Sequence, residues 1–206
     1  MNVQDAILST GTIKSLLQAR KKMRHCVTDY LAGGFSGVPL VLSEWGVDTG
    51  DAPWGSSGIW ARSLAEADMM LVSLELGEAG IVAQSSRHTL VTHHGHAYWQ
   101  WNGTHFVATP TGVWFSKWLE AARGGSSVRV GVESPELVTG VPSVTGVAFL
   151  SSNKSQYNVL AVNKLNETAT IAIKVDGSGG GGGGACSMQS YSEAKALLRQ
   201  AHDPLY

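Results

Sequence analysis

The residue best placed to do chemistry is Glu44, which closes the run Val38-Pro39-Leu40-Val41-Leu42-Ser43-Glu44 and is followed directly by Trp45 and Gly46. The run is short, almost wholly apolar and rich in branched residues. That is the pattern of a strand buried on both faces of a parallel sheet, with Pro39 tolerated at its start. In parallel α/β folds functional groups collect at the carboxyl ends of strands, where the following loops converge on one crevice. A carboxylate there serves either as a nucleophile or base, or as an acceptor for neighbouring backbone N–H groups. Trp45, Trp54 and Trp60 tilt the choice toward sugar chemistry, because sugar rings stack their apolar C–H faces on indoles while their hydroxyls bond polar neighbours.

A second concentration of reactive side chains is His88, His93, His94, His96 and His105. On a strand His94 and His96 share one face, a spacing that zinc can use. Neither a cysteine nor an obvious carboxylate accompanies them, so no metal and no cofactor is expected. They are read instead as the rim of a sugar cleft or as ordinary hairpin packing, with His93, His94, Trp99 and Trp101 the candidates to touch a substrate. Gly33-Gly34 and the glycine tract from Ser178 to Gly184 lack the spaced glycines and Lys-Ser/Thr of a phosphate loop, and no Gly-x-Ser-x-Gly elbow occurs.

The elements that must position these groups alternate. Leu16, Met23, Val27 and Tyr30 recur on one face of a helix from Thr12 to about Leu31, capped by Thr10 or Thr12 and stopped by Gly33-Gly34. After the Glu44 strand, Trp60, Leu64, Ala67, Leu71 and Leu74 step by four and three along a second helix ending at Gly77. Glu66, Asp68 and Glu75 on that helix are read as solvated. A short apolar strand, Gly80–Gln84, follows, then a hairpin from Leu90 to Val107 with Asn102-Gly103 as a type I′ turn. Thr109-Pro110 caps a third helix, with Val113, Phe115, Trp118, Leu119 and Ala122 mostly on its inner face. Helix, buried strand, helix, buried strand is α/β order. Beyond Gly125 only strand-like runs remain: 128–132, 145–150, 157–162 and 168–175, an all-β module.

Bulk properties agree with a packed globular chain. Hydrophobic residues are 43% and charged residues 15%, enough to build a core, and the net charge of -1 gives no pull toward nucleic acid or an anionic membrane. Arg20-Lys21-Lys22 is read as a solvated helix face, because no other stretch is strongly basic. No hydrophobic stretch is long enough to span a bilayer, and Met1–Ser9 does not read as a signal peptide. Three Asn-x-Ser/Thr triplets, at Asn102, Asn153 and Asn166, hint at a secreted parent protein. Cys26 and Cys186 do not define a disulfide framework.

Leu40-Val41-Leu42-Ser43-Glu44-Trp45-Gly46 resembles the seventh-strand nucleophile motif of (β/α)8-barrel glycosidases. The wider run is similar to the α-L-arabinofuranosidases and the related heparanase/β-glucuronidase group. The resemblance implies a helix with a small-residue face (Ala61–Ala67), an eighth strand, a final helix and a C-terminal β-sandwich. The expected architecture is α/β plus all-β: residues 1–125 the last part of a barrel, with about two barrel strands, and residues 126–206 a β-sandwich with a glycine-rich loop at 177–184.

The resemblance further implies retaining hydrolysis of terminal glycosidic bonds, with Glu44 as nucleophile and Trp45, Trp54, His93, His94 and Trp99 binding a carbohydrate substrate. The acid/base of the family lies on an Asn-Glu pair before the nucleophile. The only such pair here, Asn166-Glu167, falls in the β-module, so an N-terminal barrel segment is expected to lie outside this chain. Asp48 and Asp51, in the loop after Glu44, do not replace it. Two alternatives stay open: a non-catalytic carbohydrate-binding or relic module, and a glucuronidase-type enzyme in which Arg62 and Arg87 meet a carboxylated sugar.

Overall fold

The computed structural model describes residues 18–46, 57–88, 90–92, 97–128, 130–165 and 168–173. The Thr10/Thr12 cap, Leu16, Asp48, Asp51, Trp54, His93, His94, His96, Asn166 and the glycine tract lie outside the described residues. The chain divides into two compact units, residues 1–166 and 167–206.

In the first unit, helix α1 (Ala19–Tyr30) presents Met23 and Val27 to the core. It ends in a π-type turn, Leu31–Phe35, where Gly34 takes φ 91°, a conformation that costs glycine nothing and other residues a steric clash. Strand β1 (Leu40–Trp45) and strand β2 (Val82–Arg87) pair in parallel, Leu40 with Val82 and Trp45 with Arg87, and the 22-residue helix α2 (Ser57–Glu78) makes the crossover between them. The sequence placed the second strand at 80–84. It begins later because Ile81 and Gly80 are still bonded to the end of α2, through Leu76 O and Gly77 O, and it ends later because Arg87 still pairs with Trp45.

The excursion after β2 is more elaborate than a hairpin. Strand β3 (Val91–Thr92) runs parallel to β4 (Trp99–Trp101), which pairs antiparallel with β5 (Phe106–Ala108). Trp101 faces Phe106, so Asn102-Gly103 is not the two-residue turn expected. Asn102 instead starts a longer turn, and its Oδ1 accepts from the backbone N–H groups of Thr104 and His105, each at 3.0 Å. Helix α3 (Pro110–Ala122) begins as expected: Thr109 Oγ1 accepts from Gly112 N–H at 3.1 Å and Pro110 occupies the first turn. Gly112 lets this turn lie against β4, since a Cβ there would fall 2.1 Å from the Tyr98 carbonyl oxygen. Leu119, expected on the inner face, is exposed.

Beyond α3, strands β6 (Ser126–Val128), β9 (Val144–Leu150) and β10 (Tyr157–Asn163) form an antiparallel sheet with β9 at its centre. Strands β7 (Glu136–Val138) and β8 (Val141–Pro142) make a separate hairpin. The run 128–132 joins the sheet only at its start. Farther along, Ser134 Oγ takes both backbone groups of Val144, accepting from its N–H at 3.2 Å and donating to its C=O at 3.1 Å, and this replaces a ladder. In the second unit, residues 168–173 form no strand. Their alternation suits a half-buried strand, but alternation does not supply the neighbour whose hydrogen bonds make one.

Helix α2 stands between two apolar clusters. On one side Val72 and Leu76 meet Met23 and Val27 of α1 and Val82 of β2, with Leu40, Leu42 and Trp45 against them. On the other, Ala67 and Leu71 meet Val147, Phe149 and Val162 of the sheet, with Trp114 and Trp118 of α3. From Arg62 to Val72 no α2 residue is exposed. Glu66 and Asp68 were expected in solvent; they are 0% and 1% exposed. A helix apolar on all sides has no wet face, so charges on it are buried and must be paired.

Asp68 is held by Lys164 Nζ at 2.7 Å, Thr145 Oγ1 at 2.8 Å and Arg20 Nη1 at 3.1 Å. Arg20, placed with the solvated lysines in the sequence, is therefore largely buried and also pairs with Glu75, as does the exposed Arg24. Burial pushes the Lys164 ammonium below its ordinary pKa, and the Asp68 charge opposes that shift. Asp68→Ala leaves the buried Lys164 without its carboxylate and takes one of two from Arg20, and should cost about 3–5 kcal/mol. Glu75→Ala, which removes only half-exposed pairs, should cost about 1 kcal/mol or less. Urea unfolding of the two variants measures the difference.

Candidate functional site

Glu44 occupies the carboxyl-end half of β1, and its carboxylate is 68% exposed. The neighbouring parallel strand ends at Arg87, so the next residue, His88, reaches the same end of the sheet. His88 N–H donates to the Trp45 carbonyl at 2.9 Å, which continues the parallel ladder one step past β2. Its Nδ1 then lies 3.4 Å from Glu44 Oε1, within ion-pair range. At Gly46 a Cβ would make a tight contact of 3.1 Å with the His88 carbonyl oxygen and an ordinary one of 3.8 Å with Glu66 Oε1. The motif Ser-Glu-Trp-Gly thus has a local reason for its glycine.

Strict alternation would put Leu40, Leu42 and Glu44 on one face, but the β1–β2 register is irregular between Leu42 and Trp45. Trp45 lies with Leu40 and Leu42 against the α1–α2 cluster, and its Nε1–H donates to Ser85 Oγ at 2.7 Å. The Ser85 hydroxyl in turn donates to Ser73 Oγ of α2 at 3.0 Å. The Trp45 indole thus packs on the apolar cluster while the Glu44 carboxylate stays exposed. Trp99 is half-buried in β4 and meets Tyr98 edge-on at 6.2 Å between ring centroids. Of the six residues singled out in the sequence as site residues, Glu44, Trp45 and Trp99 are placed, and Trp54, His93 and His94 lie outside the described residues.

Behind Glu44 and His88 lies a buried polar layer. Arg87 Nη2 donates to both Glu66 oxygens, at 2.9 and 2.8 Å. Thr111 Oγ1 of α3 donates to Glu66 Oε2 at 2.9 Å and sits 2.8 Å from Ser63 Oγ. Arg62 Nε lies 4.0 Å from Glu66 Oε1, and Arg62 and Arg87 side chains are 0% and 3% exposed. The two arginines considered for a carboxylated sugar thus belong to the interior, one of them bonded to Glu66. The Arg87 guanidinium also stacks 4.4 Å over the Tyr98 ring, whose other neighbour is Phe115 at 4.2 Å between centroids.

His88 was read only as one of the histidines of a cleft rim and not as a neighbour of Glu44, because its strand was ended too early. The rule that singled out Glu44, a polar group at the carboxyl end of a parallel strand, applies equally to His88 once β2 runs to Arg87. The buried role of Glu66 was signalled by the lack of a polar face on α2. Among the described residues no group of three or more His, Cys, Asp or Glu side chains could hold a metal, and no helix is long and apolar enough to cross a membrane. No family model, curated protein or solved structure matches the chain.

Burial raises the Tyr98 phenol to about 12, with Arg87 opposing and Glu66 adding to the shift. A folded-state pKa above the unfolded one means the folded chain holds the proton longer. Stability from this group is complete below pH 10 and lost as pH climbs toward 12. That loss should be on the order of 2 kcal/mol, and Tyr98→Phe should remove it. Urea midpoints measured at both ends of the interval test this.

Proposed function

We propose that this chain carries the nucleophile-bearing portion of a retaining glycoside hydrolase with a parallel α/β barrel, with Glu44 as nucleophile. The observation that carries the reading is the β1–α2–β2 unit, in which Glu44 and His88 meet at the carboxyl ends of adjacent parallel strands, on the solvent side. In such a mechanism Glu44 attacks the anomeric carbon and forms a glycosyl-enzyme ester. A second carboxyl group, about 5 Å away, protonates the leaving oxygen and later activates water. Among the described residues the ion-pair partner of Glu44 is a histidine, which is not the carboxylic acid this mechanism needs, and none of the described residues is assigned that role. His88 acts as a positioning residue that holds one rotamer of Glu44 for in-line attack.

Within the class an α-L-arabinofuranosidase-like activity is favoured over a glucuronidase-like one. A sugar carboxylate needs an accessible cation, and Arg62 and Arg87 are committed to the interior around Glu66. Substrate contact is proposed for the exposed side of Glu44 and for Trp54, His93 and His94, which in chain order fall between β1 and α2 and between β3 and β4.

The test uses 2-deoxy-2-fluoro glycosides with an activated aryl leaving group, which need no acid assistance to form the glycosyl-enzyme. Arabinofuranosyl, xylosyl and glucuronyl versions are compared by intact mass and peptide mapping. One adduct on Glu44, absent in Glu44→Gln and slower to form in His88→Ala, is expected. Labelling that survives in Glu44→Gln, or none with any of the sugars, contradicts the assignment.

A further inference from the structure

Two of the three Asn-x-Ser/Thr triplets fall in described residues, and both form the tips of antiparallel hairpins. Asn102-Gly103-Thr104 joins β4 to β5, and Asn153-Lys154-Ser155 joins β9 to β10. The two hairpins share no sequence beyond the triplet, yet they fold the same way. In each the middle residue is left-handed, Gly103 at φ 106° and Lys154 at φ 56°. For Lys154, a non-glycine residue, this conformation is unfavourable unless the turn imposes it.

The turn is imposed by the asparagine side chain. Asn102 Oδ1 accepts from Thr104 N–H and from Thr104 Oγ1, both at 3.0 Å, and from His105 N–H at 3.0 Å. Asn153 Oδ1 accepts from Ser155 N–H at 3.1 Å, from Ser155 Oγ at 2.7 Å and from Ser151 Oγ at 2.7 Å. In both, the hydroxyl residue two positions on grips the carboxamide oxygen twice, which fixes the rotamer. The Asn102 Nδ2 has one near neighbour, His105 Nε2, at the long distance of 3.5 Å. All six triplet residues are exposed.

We propose that Asn102 and Asn153 are N-glycosylation sites of this protein, taking an oligosaccharide from a lipid-diphosphate donor. The Asn Nδ2 forms a bond to C1 of the first sugar. The C1–O bond breaks with its electron pair leaving on the lipid diphosphate, and one amide proton is lost to a base of the transferring enzyme. A second feature supports Asn102 in particular. Trp101 and Phe106 flank the turn as an edge-on pair 5.1 Å apart, and both are exposed, 45% and 54%. The apolar face of the first sugar on Asn102 can cover these rings.

The whole chain is expressed behind an added secretion signal in cultured animal cells, and secreted and retained fractions are both mapped. Enzymatic glycan release in heavy-oxygen water converts each glycosylated asparagine to an isotopically tagged aspartate. Tags are expected at positions 102 and 153. Thr104→Ala should abolish the first alone and Ser155→Ala the second alone, with the other site kept. A position that stays untagged in both fractions overturns the proposal for that site.

Discussion

Two carboxylates on α2 constrain the first unit of the fold. Glu66 and Asp68 sit two residues apart on a helix with no wet face, so each must find cations and hydroxyls inside the protein or not ionise at all. Their partners come from five other parts of the chain. Glu66 gathers Arg87 from β2 and Thr111 from α3, while Asp68 gathers Arg20 from α1, Thr145 from β9 and Lys164 just past β10. Apolar contacts on either side of α2 supply burial without direction. The charge-assisted hydrogen bonds supply the direction, since they are satisfied only when all of these elements take one arrangement.

The candidate site inherits its geometry from this arrangement. Arg87 is the last residue of β2 and His88 is the next. The bidentate grip of Glu66 on Arg87 therefore fixes where the chain leaves the sheet and where the His88 ring stands. Trp45 secures the other strand by packing inward and by its link through Ser85 to Ser73 of α2. Glu44, between these fixed points, is left facing solvent beside His88. An exposed carboxylate on the wet side and a buried carboxylate on the dry side of one βαβ unit have different environments for this reason.

Much of the first unit was legible in the residues. Periodicity gave α2, α3, β9 and β10, and Thr109-Pro110 gave the start of α3, because cap chemistry and amphipathic spacing are local properties. Gly34 marked the end of α1 for the same reason. The failures were non-local. The end of β2 depends on its pairing with Trp45 of β1, the early end of β6 on where its pairing with β9 stops, and residues 168–173 form no strand despite their alternation. Glu66 and Asp68 look solvated by residue type, and only the apolar surroundings on the whole of α2 showed otherwise. The place of Glu44 near the carboxyl end of a parallel strand was legible from its run, whereas the approach of His88 to it was not, since that depends on where β2 ends.

The most direct measurement is a double-mutant cycle on Glu66 and Arg87, using Glu66→Gln, Arg87→Met and the pair, with stability read by urea unfolding. If the buried pair organises the unit, each single change leaves an uncompensated partner and costs about 3–5 kcal/mol. The double variant should then be more stable than the sum of the two losses predicts, by at least about 1 kcal/mol. Losses that add within about 0.5 kcal/mol would show that the two residues act independently, and the account of how α2 sets the Glu44–His88 geometry would be wrong.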